Sequence, residues 1–427
     1  MAPATKLIDT FVNVDNLFMR ITCHFKLRIS SRKIQPLLGR LPQSMDLRSA
    51  RLATITTFVL NGFTVGAFVA RIPDFKVTLA ISDKTLGASL LFVSIGVFLA
   101  LRPAGRLAAR FGSRPMIFAA TLALALAQPL VGLLFSLKWT WFSFFLFGFT
   151  IATQDISMNA HAVAIEQRAG RRLMSVFHGM FSVGTLAGGL LGGLFSQLSI
   201  TPLRQCLALM VLLGVMAFVI RPRLLSAEVD RHPIERHGKQ RHPFIFWILG
   251  LFGLFAAISE GAAGDWGGVL ARDAFSASPF VSTLPYIFFC VAMIIGRLSG
   301  DFLAHRFGAS RVITAGGMIA GTGLATGLIV GGIPILMAAW FLLGLGLSVV
   351  IPLMFSAAGT IATKQYAGVI APSEAVATVS GVSYFGFVFG PPLIGFLAQH
   401  FTLRSALFLI VVCGYFLIFA SRYAQEA

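Results

Sequence analysis

The chain has 427 residues, of which 56% are hydrophobic and 12% charged, with a mean hydropathy of +0.84. A soluble domain carries about twice that charge, so composition excludes a soluble enzyme and a soluble nucleic-acid-binding fold. The net charge of +18 leaves no spare basic face for nucleic acid and reads instead as a marker of orientation.

Apolar residues fall in long blocks of roughly the ~20 residues that a spanning helix needs. The short alternating segments of a membrane barrel are absent. An all-α integral membrane protein with twelve transmembrane helices is expected. Cys23, Cys206, Cys290 and Cys413 show neither metal nor disulfide spacing, and no cofactor or metal is expected.

Residues 1–50 read as a basic, disordered cytoplasmic tail, in which 11–25 has the pattern of a short surface helix. No cleavable signal precedes the first apolar block, and Met45 opens an alternative start, MDLRSARLATITTF. An N-terminal half, 51–220, holds helices at about 52–70, 85–102, 115–136, 140–165, 173–196 and 203–220, the first broken at Pro73. Residues 221–243 form a cytoplasmic linker. A C-terminal half, 244–423, holds helices at about 244–266, 280–300, 312–331, 334–357, 375–398 and 405–422.

With a cytoplasmic N-terminus, the 34 Lys and Arg divide 27 inside and 7 outside. The outside set is Arg71, Lys76, Lys84, Lys138, Arg204, Arg272 and Arg404. This is the positive-inside distribution, so both termini are expected in the cytoplasm. The two halves also repeat. Leu107-Ala-Ala-Arg110-Phe-Gly112 returns as Leu303-Ala-His-Arg306-Phe-Gly308, and Gly179, Gly184, Gly188 and Gly193 return as Gly381, Gly386, Gly390 and Gly395. A parallel repeat of six helices places a solute site near the midplane, between halves that rock against each other.

On these residues the chain resembles the major facilitator superfamily. Gly105-Arg106-Leu107-Ala108-Ala109-Arg110-Phe-Gly112-Ser113-Arg114 is similar to its signature loop, with Ala109 where the family has Asp. The resemblance implies that Arg106, Arg110, Arg297, Asp301 and Arg306 work a cytoplasmic gate, and that the first-half latch is altered. Arg297 and Asp301 are spaced i,i+4, as an ion pair on one helix face requires. Within the superfamily, Arg71-Ile-Pro73, Asp155-x-x-Met158-Asn159, His178-Gly179-x-x-Ser182, Glu260-Gly261-x-x-x-Asp265-Trp266 and Gly390-Pro391-Pro392 resemble the rhizopine-transport-like, MosC-type group. That group implies a solute carrier of the proton-coupled kind, acting on a small polar, sugar- or cyclitol-like compound.

Asp155 and Asn159 stand one turn apart in helix 4, about 22 Å from its outer end. A carboxyl in a spanning helix is costly and ordinarily has a use: here a proton or a polar solute, against a structural pairing with an arginine. Glu260, placed in the outer third of helix 7, is the second candidate, with Gly261 and Gly264 able to unwind the helix around it. Its alternative is an outer latch to Arg71. Asp265 and Trp266 are placed at the mouth, Asp265 as a gate residue and Trp266 as a belt residue or a stacking platform. His178, one turn into helix 5, is a possible proton relay or a simple cap. Asn61 and Tyr384 are candidate solute contacts. The glycine series of helix 5 resembles the motif of proton-driven antiporters, but glycines at this spacing also serve tight helix packing.

The expected partners are a small-molecule solute, protons and the bilayer, with no nucleic acid, and a monomer is expected. The function expected is secondary active transport in the inner membrane by alternating access. The rivals are a multidrug or metabolite exporter on the same fold and a transporter-derived sensor or scaffold. No nucleophile–base set points to an enzyme.

Overall fold

The computed structural model describes residues 47–170, 173–227, 243–366, 369–370 and 372–423. The expected tail up to residue 46, Arg171, Arg172 and linker residues 228–242 lie outside them. The described residues form helices joined by short turns, with no strand. Such a chain satisfies its backbone polar groups within each segment, as a bilayer demands.

Twelve passes follow in order. α1 is Leu47–Val69, α2 Asp83–Phe111, α3 Ser113–Gly132, α4 Leu137–Ala169, α5 Met174–Gln197 and α6 Pro202–Ile220. α7 is Phe244–Phe275, α8 Leu284–Phe307 and α9 Ala309–Val330. α10 spans Ile333–Gln365, α11 is Pro372–His400 and α12 spans Leu403–Arg422. Between α1 and α2 lies a short hook, Ile72–Leu79, with proline in its first turn, where a missing N–H costs nothing. α10 breaks at Ser348–Val349 into Ile333–Leu347 and Val350–Gln365, because Pro352 has no N–H to give the carbonyl of Ser348.

Among the described residues, eleven helical spans are long and apolar enough to cross a membrane. The pass outside that set is α4. It has 33 residues, but Gln154, Asp155, Ser157, Asn159 and His161 interrupt its apolar run. The least apolar pass is thus the one that carries the central acid.

Helix starts obey local chemistry. Ser82, Ser136, Thr201 and Thr402 each accept a backbone N–H in the first turn of α2, α4, α6 and α12, which satisfies an otherwise orphaned donor. All four lie at one end of the bundle. At the other end, α2 turns into α3 at Gly112 and α8 into α9 at Gly308, both with φ of +86°, a region that side-chain-bearing residues avoid. These are the glycines of the two Arg-Phe-Gly segments.

Small residues set the packing. A Cβ added at Gly62 or Gly66 of α1 would stand 2.1 or 2.0 Å from a carbonyl oxygen of α5, and one added at Gly184 or Gly188 would strike α1 at 2.2 or 2.0 Å. Gly386 of α11 is pressed in the same way against Leu254 of α7, at 2.4 Å. Close helix packing accounts for the antiporter-like glycines.

Candidate functional site

The same helix pairs that meet at one end of the bundle part at the other. Near the start of α2, a Cβ at Gly87 would lie 2.5 Å from the carbonyl oxygen of Pro391 in α11, and one at Gly395 would lie 3.2 Å from the Cα of Gly87. Gly189 and Gly193 of α5 are likewise pressed against Ile287 and Thr283, at 2.9 and 2.6 Å. Further along, Gly105 of α2, Gly179 of α5 and Gly381 of α11 have nothing within 4 Å. The halves therefore enclose a cavity that is sealed at one end and open at the other.

Charged residues lock the sealed end. Asp74, in the hook after α1, takes Arg71 at 2.5 Å on one carboxylate oxygen and Arg272 of α7 at 2.6 Å on the other. Ser196 of α5 donates to Asp74 at 2.9 Å and accepts from Arg272 at 2.9 Å. Arg272 also donates to Ser282 at 3.0 Å. Lys76 joins Asp83 at 2.6 Å and pairs with Asp273 across the halves. Gln197 accepts the backbone N–H of Phe280 at 3.1 Å. Asp74, Asp83, Ser196 and Asp273 carried no signal in the sequence beyond lying near helix ends. Lys76 and Arg272 registered there only as topology charges.

Polar residues of five helices converge deeper in the bundle. Asn159 donates to the carboxylate of Asp155 at 3.2 Å and to its carbonyl at 2.9 Å, so the one-turn spacing brings them together. No cation pairs with Asp155 among the described residues. Tyr384 of α11 is 47% exposed and lies within electrostatic reach of both Asp155 and Glu260. Arg297 of α8 faces Glu260 at 3.4 Å, with the two side chains 43% and 28% exposed. His178 of α5 is exposed, touches the edge of Phe58 at 5.5 Å and lies within reach of Arg297. Cys290 and Tyr286 of α8 complete this wall.

Several expectations change. α7 does not stop at Trp266 or unwind at Gly261 and Gly264; it runs unbroken to Phe275. The tryptophans pack tightly there: a Cβ added at Gly267 would stand 3.5 Å from Trp340, and one added at Gly395 would stand 3.3 Å from Trp266. Glu260 consequently sits midway along the helix, not in its outer third. Asp265 lies about 15 Å inside the helix end, not at the mouth, where Arg272 and Asp273 stand instead. Trp266 is fully buried, so it is neither a belt residue nor a platform. Arg71 does not latch Glu260: it is held by Asp74, by Gln205 at 2.8 Å and by the carbonyl of Ile200 at 2.5 Å.

Arg297, expected at the gate, pairs here with Glu260. The side chain of Asp301, its expected partner, lies outside the described residues. Asn61 is engaged elsewhere. It is 2% exposed and donates to Gln154 at 2.9 Å and to the carbonyl of Ile151 at 3.3 Å. Gln154 passes the chain on to Thr121 at 2.7 Å. This buried bridge ties α1, α3 and α4 together.

At the open end Arg106, Arg110 and Arg306 are exposed, and no ion pair involves them among the described residues. Arg110 and Arg306 lie over the rings of their own neighbours Phe111 and Phe307. Two anchors there were not foreseen. Glu166 accepts the backbone N–H groups of Leu173 and Met174 at 2.6 and 2.9 Å, capping α5. His161, buried in α4, bonds Ser113 at 2.6 Å and accepts the N–H of Leu225 at 3.2 Å. The first residues after α6 are thereby pinned to the N-terminal half.

Residues 54–371 match the family model of the Major Facilitator Superfamily. An uncharacterized MFS-type transporter of Yersinia pestis is 30% identical over 367 residues, covering 84% of this chain and 91% of that protein. The membrane protein MosC of Rhizobium meliloti is 29% identical over 369 residues, covering 85% of this chain and 87% of that one. Among solved structures, the nucleoside transporter NupG superposes with a TM-score of 0.69 at 13% identity, covering 90% of this chain and all of that one.

Proposed function

The chain belongs to the Major Facilitator Superfamily, a multi-pass membrane transporter and not an enzyme, and from that premise we propose that it carries a small polar solute across a bacterial inner membrane by proton-coupled alternating access. The sealed end faces outward and the open end faces the cytoplasm, so the conformation is inward-open. The positive-inside distribution supports this orientation, and it leaves both termini and the linker in the cytoplasm.

One observation carries the reading. α2 with α11, and α5 with α8, close over a cavity at one end and separate at the other, and Asp155, Asn159, Tyr384, Glu260, Arg297 and His178 stand in the gap. Such groups hydrogen-bond a hydroxylated solute, and their modest net charge suits a sugar- or cyclitol-like compound, as the resemblance to the MosC-type group implies. Asp155 has no cation beside it, so it can take up and release a proton without breaking an ion pair. Arg297 balances Glu260, and a solute that reaches either one competes for the other. Arg106, Arg110 and Arg306 serve the cytoplasmic gate only in the opposite state, when the open end closes.

The test is a thermal-shift screen of purified protein against polyols, sugars and cyclitols, followed by uptake into proteoliposomes with a lumenal pH probe. The expected result is solute-dependent acidification that Asp155→Asn abolishes. Acidification by Asp155→Asn at the wild-type rate would overturn the assignment.

A further inference from the structure

The acids inside the bundle are not treated alike. Glu260 has Arg297. Asp155 has the amide of Asn159. At the sealed end Asp74, Asp83 and Asp273 all face a cation. Asp265, on the outer side of the midpoint of α7, makes no hydrogen bond and no ion pair among the described residues. It is only partly exposed. Its carboxyl reaches back one turn, with Oδ2 3.9 Å from where a Cβ on Gly261 would stand and Phe387 of α11 on the same side. The titratable group that faces it from α8 is Tyr286, beside Cys290, and Glu260 lies one and a half turns away on its own helix. An ionised carboxylate in that setting has no countercharge and sits near a second acid, which is costly away from water.

Its place along the solute path matters as much. Tyr286 packs against Gly264, with a Cβ there only 3.6 Å from the ring. Beyond it a small void lies between Val69, Gly189, Gly264 and Gly268 and ends at Ser282. Ser282 is bonded to Arg272 of the lock. The order from the cavity outward is therefore Glu260 with Arg297, then Asp265 with Tyr286, then the void, then the lock.

Resting on the proton-coupled reading above, we propose that Asp265, rather than Glu260, is the acid of the C-terminal half that holds a proton in the inward-open state. One O–H bond forms at a carboxyl oxygen, taking a proton from the aqueous side to which the cavity then opens. The same bond breaks when the proton passes to water on the other side. Glu260 stays charged against Arg297 throughout. Asp265 is thus a coupling residue set behind the solute site, with the Tyr286 ring as the door between it and the outer path.

The test needs no solute. Infrared spectra of the full-length protein in phosphatidylethanolamine–phosphatidylglycerol bilayers at neutral pH resolve the C=O stretch of protonated carboxyls. The difference between wild type and Asp265→Asn is expected to show the loss of one such carboxyl. Glu260→Gln is expected to lose none. Asp265→Glu, a check that the site still folds, is expected to keep a band at shifted frequency, and Tyr286→Phe to move the band without removing it. An unchanged protonated-carboxyl band in Asp265→Asn, or its loss in Glu260→Gln instead, overturns the assignment. Solute uptake by the wild type with no proton movement, while the Asp265 band is still lost in Asp265→Asn, would remove the coupling reading and leave the proton on Asp265.

Discussion

The two ends of the bundle both carry charge, and they use it in opposite ways. At the sealed end acids and bases alternate across the boundary between halves, and Asp74 with Arg272 and Lys76 with Asp273 join them. At the open end the charges are mostly basic, and Arg106, Arg110 and Arg306 stand exposed over their own helices. Complementary charge holds halves together; a one-sign rim sets orientation but, in this conformation, joins nothing. The sealed end adds a second device, the glycine contact of α2 with α11, which requires no charge at all.

The largest effect is expected from that contact. Gly87→Leu places a side chain where Pro391 and Gly395 already stand, so the sealed end cannot close. Transport should fall to background, and cysteines introduced at 84 and 396 should label readily from outside. Wild-type labelling in this variant would show that charge alone seals the end.

Breaking the lock comes next. Arg272 and Asp74 are only 15% and 14% exposed, and removing one partner of a largely buried pair leaves the other uncompensated. Discounted for their partial exposure, Arg272→Ala is expected to shift the equilibrium by about 2 kcal/mol toward the outward-open state. Outside accessibility of the same introduced cysteines reports it. Lys76→Ala should do less, about 0–1 kcal/mol, because Asp273 is 41% exposed and exposed pairs are weak. This difference should shrink further at high salt.

Smallest is the effect of Arg106→Ala or Arg110→Ala on the inward-open state, expected within about 0.5 kcal/mol since neither makes an ion pair there. Their removal should instead slow the return from the outward-open state. A thermal-stability change in the inward-open protein as large as that of Arg272→Ala would break the contrast between the ends.

Much of the site was legible from sequence because helical spacing is local. Asp155 and Asn159 meet because residues four apart share a helix face. The Arg-Phe-Gly repeats fall at equivalent turns because only glycine sits easily at φ of +86°. Tyr384 read as a candidate solute contact, and it lies within electrostatic reach of Asp155. Asn61 failed for the opposite reason: an amide in an apolar helix is equally at home facing a cavity or bridging two neighbours, and only the approach of Gln154 and Ile151 decides. His161 gave no warning, since Ser113 lies 48 residues away, nor did the contacts of the lock between halves, such as Lys76 with Asp273, 197 residues apart.

Helix 7 shows where the boundary lies. The sequence read as a helix ending near 266, with Gly261 and Gly264 able to unwind it, and the depths of Glu260 and Asp265 followed from that reading. The helix instead runs unbroken to Phe275, with Trp340 and Pro285 packed at Gly267, and both acids move inward with it. The sequence by itself determined the medium, the twelve passes and the pairing within each helix, because these rest on apolar length and a 3.6-residue period, and its charge placement motivates the proposed orientation. Only the tertiary structure decided which acid has a cation, which polar residue faces the cavity and which end is shut, because each of these depends on what another helix brings across the gap.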